Sequence, residues 1–76
     1  GYTGPQQMKK RSVTIAGHRS SVTLEDAFWT ALQELARAQR VSLNALITRI
    51  DDTRNPAQNL SSALRVHVLD HLTAQR

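Results

Sequence analysis

Arg19-Ser20-Ser21-Val22-Thr23-Leu24 runs without a break into Glu25-Asp26-Ala27-Phe28-Trp29, and the period of the chain changes between the two. In the first run Arg19, Ser21 and Thr23 point one way, while Ser20, Val22 and Leu24 point the other. A period of two marks a short strand with one wet and one buried face. Such a strand cannot stand alone, because its backbone donors and acceptors need a partner. One source is the same strand of a second copy. The other is Arg11-Ser12-Val13-Thr14-Ile15, a β-prone run that Ser20–Leu24 nearly repeats nine residues later. That run either turns back at 16–18 as a hairpin or forms an arm that orders on binding.

Seventy-six residues allow one small domain, and a domain of this size buries little apolar surface without disulfides, a metal or oligomerisation. The chain has no cysteine, which removes disulfides and thiolate metal sites and is compatible with a reducing cytoplasm. No apolar run approaches the roughly 20 residues of a membrane span. Oligomerisation is left as the expected source of extra burial.

The net charge of +4 is unevenly placed. Residues 1–24 carry Lys9, Lys10, Arg11 and Arg19 and no acid. From Glu25 onward six arginines meet six acids. A polyanion fits such an asymmetry, nucleic acid first among them, although a basic tail also aids solubility.

Behind the strand the period becomes helical. Thr23 and Asp26 suit the start of a first helix over 25–39, in which Phe28, Leu32, Leu35 and Ala36 share a side with Trp29 flanking them. Phe28 and Trp29 read as core rather than stacking residues. Ser42 caps a second helix over 42–52 carrying Leu43, Leu46, Ile47 and Ile50. Asn55-Pro56 marks a turn, and a third helix over 59–74, capped by Asn59 or Ser61, lines Leu60, Ala63, Leu64, Val68 and Leu72 along one side. Val66 and Leu69 widen that surface towards a second neighbour. Residues 1–8 read as a flexible leader or tag remnant, and 9–76 as one domain: a basic arm over 9–17, a strand over 18–24 and the three helices.

The ordered set of basic arm, alternating strand, helix, short turn and Ser-capped helix resembles the ribbon-helix-helix family of the Arc and methionine repressors, and in its fuller string a short bacterial subfamily of it. The resemblance rests on Arg19–Leu24, Phe28-Trp29 with Leu32, Leu35 and Ala36, and Val41-Ser42-Leu43-Asn44-Ala45-Leu46-Ile47. It implies a mainly α fold in which one N-terminal strand pairs antiparallel across a homodimer above two helices, here followed by a third. It implies a ribbon in the major groove of double-stranded DNA, with Arg19, Ser21 and Thr23 reading bases. Ser42, Leu43 and Asn44, at the start of the second helix, would bind phosphate, helped by Lys9, Lys10 and Arg11. Where the family's second helix runs on, residues 51–58 interrupt this one.

His67 and His71 stand four apart, half of a metal site, with no cysteine to complete it. Neither a Gly-rich phosphate loop nor paired acids in an apolar setting occur. The expectation is a cytoplasmic, non-enzymatic, cofactor-free transcriptional regulator, repressor or autoregulator, acting as a homodimer that could assemble further on DNA. The alternative is an antitoxin-like or accessory protein whose third helix binds a protein partner.

Overall fold

The computed structural model describes residues 8–74. It contains β1 (Met8–Ile15), β2 (His18–Glu25), α1 (Asp26–Gln39), α2 (Leu43–Thr53) and α3 (Leu60–Ala74). Apart from Met8, the leader expected over residues 1–8 lies outside the described residues.

The expected single strand pairing across a homodimer is replaced by two strands of one chain. β1 and β2 form an antiparallel sheet in register from Met8↔Glu25 to Ile15↔His18. The physical reason is the two-residue connection. Ala16 and Gly17 take φ of 51° and 82°, both left-handed as in a type I′ turn, whose twist matches that of the strands it joins. Closing so short a loop costs far less chain entropy than bringing in a second molecule. The segment expected as an arm over 9–17 is therefore the first strand and its turn.

Facing residues share a side of the sheet. Val13, Val22 and Leu24 point inward and are buried. They cover a core made by Leu32, Leu35 and Ala36 of α1, Leu46, Ile47 and Ile50 of α2, and Ala63, Leu64 and Val68 of α3. Burying each large aliphatic side chain contributes about 1.5–3 kcal/mol, so this inner face is what fixes the hairpin to the helices. Phe28 and Trp29 lie partly buried against the same core.

The helix ends follow local chemistry. Glu25, not Thr23, is the N-cap of α1, and it makes no side-chain cap bond. Thr23 instead remains in the strand. α1 ends at Arg40 in the left-handed region (φ 59°), with the Val41 amide donating to the Ala36 carbonyl at 3.0 Å. Ser42 caps α2 by accepting from the Ala45 amide at 3.0 Å. Asn59 does the same for α3, accepting from the Ser62 amide at 2.8 Å. Between them Arg54 donates to Asp51 at 2.8 Å and to the Gln58 carbonyl at 2.6 Å, ordering the interruption after α2. Leu72, expected on the apolar side of the third helix, is 55% exposed.

A left-handed Ala16 costs about 1 kcal/mol, a cost Asn bears more easily. Ala16→Asn is therefore expected to raise stability by about 0.5–1 kcal/mol in thermal denaturation. Gly17→Val, which places a β-branched residue at φ 82°, is expected to lower it by more.

Candidate nucleic-acid interface

The face of the hairpin turned away from the core is built from three cross-strand pairs, Lys10↔Thr23, Ser12↔Ser21 and Thr14↔Arg19. All six residues are exposed. A two-residue turn makes Ile15↔His18 the hydrogen-bonded pair, so by alternation these three are the non-bonded pairs, with α-carbons only about 4.5 Å apart. Their side chains form a compact polar strip with a cation near each end and no acid among them.

In non-bonded pairs the backbone groups point to the sheet's edges, and helix side chains meet several of them. The Thr14 amide donates to Asn44 Oδ1 at 3.3 Å and the Ala16 amide to Thr48 Oγ1 at 3.4 Å. Thr48 Oγ1 also lies 3.5 Å from the Thr14 carbonyl. On the other edge Ser61 donates to the Thr23 carbonyl at 2.9 Å. Asn44 and Thr48 stand one turn apart, so the N-terminal half of α2 is laid along the β1 edge. This contact brings Ser42, Leu43 and Asn44 close to the hairpin tip. The Leu43 and Asn44 amides are in the first turn and have no intrahelical acceptor. The Ser42 oxygen is already used by its own helix, and the Asn44 oxygen by the hairpin.

The three basic residues of β1 divide between the two faces. Lys10 is on the outer strip. Lys9 and Arg11 are on the inner side, where both reach Asp26, at 3.7 Å and 3.1 Å. The Arg11 guanidinium also stacks over Trp29, 4.8 Å from the ring centroid. Its Nε is buried without a hydrogen-bond acceptor, so the ring face is its compensation there. At the hairpin base Glu25 accepts from Arg65 Nε at 2.9 Å, and both side chains are about three-quarters buried. The Arg65 bond holds the Glu25 carboxyl below its ordinary pKa of 4.5.

A family model described as a ribbon-helix-helix domain matches residues 8–72, which takes in both strands and nearly all of the three helices. The chain belongs to the ribbon-helix-helix family. Members of this family are generally DNA-binding regulators that bind as dimers, on a fold that is typically non-enzymatic. No curated protein and no solved structure matches the chain. No helix among the described residues is long and apolar enough to cross a membrane, and no three metal-ligating side chains gather there.

In this ribbon-helix-helix chain Arg19, Ser21 and Thr23 lie together on one exposed strip, and β1 adds Lys10, Ser12 and Thr14 to it. Ser12 and Thr14 were not singled out in the sequence. Their signal was the repeat itself, since a second copy of the alternation implies a second polar face. The Asn44 and Thr48 contacts had no such signal, because tertiary contact alone pairs a strand edge with a helix.

Two outcomes follow from the division of charge. Arg11→Ala should lower stability by about 1–2 kcal/mol through lost stacking and ion pairing, whereas Lys10→Ala should leave the melting temperature unchanged. Because the folded pKa of Glu25 is lowered, its contribution is present above pH 4.5 and is lost as pH falls through the folded value. Thermal melts should therefore separate wild type from Glu25→Gln at pH 7, and the gap should narrow as pH falls below 4.5.

Proposed function

We propose that the protein is a sequence-specific, DNA-binding transcriptional regulator of a bacterial cytoplasm, a repressor or autoregulator, which acts as a homodimer and lays the outer face of its hairpin in the major groove. The observation that carries this reading is the exposed strip of Lys10, Ser12, Thr14, Arg19, Ser21 and Thr23, acid-free and set on a rigid two-stranded element. A major groove about 12 Å wide admits such a ribbon. A hairpin is already two strands, so each protomer carries a complete ribbon.

The side chains suit the edges they would meet. Arg19 can give two parallel donors to guanine O6 and N7, Ser21 can donate or accept, and Thr23 offers a hydroxyl and a methyl for thymine. Ser12 and Thr14 extend the same vocabulary. Lys10 would touch phosphate, as would the first amides of α2, held beside the ribbon by Asn44. Lys9 could reach a phosphate by leaving Asp26, a long contact at 3.7 Å, but Arg11 serves mainly to fix the hairpin to α1.

Selection of bound duplexes from a random library, followed by gel shifts across a salt series, tests this reading. Arg19→Ala should cost about 1–3 kcal/mol at one base position and relax preference there, leaving nonspecific affinity largely intact. Lys10→Ala should weaken all sequences alike and reduce the salt slope by about one. Enrichment of no motif, with Arg19→Ala indistinguishable from wild type, would overturn sequence-specific reading by the hairpin.

A further inference from the structure

The inner face of the hairpin loses its apolar pattern towards the tip. Val22 and Leu24 are buried, but Ser20, on the same face, is exposed although its cross-strand partner Val13 is buried. His18, next along that face, is exposed as well. An aliphatic side chain in place of Ser20 would continue the core there. With the serine, a cleft of about 400 Å³ opens under the tip, between β2, the end of α2 and the start of α3. Ile15 and Leu60 give it apolar walls, and both pack partly on the core. Arg19, Ser20, Asp51 and Arg54 give it polar ones. A few placed polar groups beside apolar walls, in a volume of about 300–1,000 Å³, are the ordinary make-up of a small-molecule site.

We propose that this cleft binds a small organic acid, an apolar body bearing a carboxylate, and that the bound acid draws Arg19 away from DNA. The charge of the lining selects the anion. Asp51 is the only acid among the lining residues, and Arg54 Nε holds it at 2.8 Å. Arg19 is left unbalanced, since it makes no ion pair among the described residues. The Arg54 guanidinium is fixed by Asp51 and by the Gln58 carbonyl, so its remaining Nη2 donors are held in place for a ligand. Arg19 and Ser21 belong to non-bonded pairs, so their amides also point off this edge of β2, where the cleft lies. These are donors for an acceptor-only group, and a guanidinium fork matches the two oxygens of a carboxylate. The apolar body of the acid would lie against Ile15 and Leu60, in the space that Ser20 leaves.

The site stands on the cleft alone; its effect on DNA rests on the proposed reading of a base by Arg19. That side chain lines the cleft and also stands on the outer strip. It cannot fork to a guanine and to a carboxylate at once. The two ligands therefore oppose each other, and by linkage each weakens the other by the same factor. The acid acts as an inducer that releases the protein from its site.

Four probes test the site on the isotope-labelled full chain: benzoate, its cationic counterpart benzamidine, neutral benzyl alcohol, and inorganic phosphate. Benzoate should move the amide signals of Ile15, Ser20, Arg54 and Leu60 with an affinity of about 1 mM, the range open to so small a ligand. The other three should bind on the order of tenfold more weakly, for want of the charge or of the apolar body. Ser20→Leu should fill the cleft and abolish the benzoate shifts, with a melting temperature no lower than wild type and DNA binding retained. At matched ionic strength, saturating benzoate should weaken a selected duplex about threefold or more in wild type and leave it unchanged in Ser20→Leu. Benzamidine or phosphate binding as well as benzoate, shifts absent from the cleft, or a Ser20→Leu variant that binds benzoate like wild type overturns the site and leaves the DNA reading standing. Duplex affinity untouched by bound benzoate overturns the inducer role. Benzoate held in the cleft of a protein that selects no DNA motif upholds the site and removes the DNA reading.

Discussion

The structure depends on the pairing of β2 with β1 through the two-residue turn at Ala16-Gly17. Without it, β2 would have an unpaired row of backbone groups and Val22 and Leu24 would have no rigid frame from which to enter the core. With it, one strand's burial serves both: Val13 joins Val22 and Leu24 on the inner face, and alternation forces the remaining residues into a single outward strip. The polar strip is thus a geometric consequence of the apolar one. Its side chains need no contacts of their own to be held in place, because the opposite face of the same sheet is anchored.

The helices then act on the hairpin as three separate clamps. α1 holds its inner base through Asp26 and Trp29 on Arg11. α2 holds the tip edge through Asn44 and Thr48, and α3 holds the other edge and base through Ser61 and Arg65. Each clamp is a modest polar contact worth about 1 kcal/mol or less where exposed. Their value is positional, since together they set the ribbon against the start of α2, where unsatisfied amides lie. A ribbon and a helix N-terminus in fixed relation can touch base edges and backbone at once.

Much of this was legible in the sequence. The alternation of Arg19–Leu24 gave the polar strip, and Ser42 before Leu43-Asn44-Ala45-Leu46 marked the start of α2 through its cap. What could not be read was the strand's partner. Ser12-Val13-Thr14 announces a second strand, but whether a strand pairs within or between chains depends on the turn. Ala16 gives no left-handed signal of the kind Asn-Gly would, so the hairpin was masked by an uncommon residue at that φ. Arg11 shows a similar limit: its charge is visible in the sequence, whereas its seat on Trp29 depends on how the sheet lies across α1. Thr23 had two candidate roles, and the fold removes one by starting α1 at Asp26.

The chemistry of the outer strip and the burial of the inner one combine in one claim, that the hairpin's solvent face is the surface that meets DNA. Chemical-shift mapping of isotope-labelled protein titrated with a selected duplex tests it most directly. The largest changes are expected at Lys10, Ser12, Thr14, Arg19, Ser21 and Thr23, with a second group at Leu43 and Asn44. Changes confined to α3, with the hairpin signals unmoved at saturation, would contradict it.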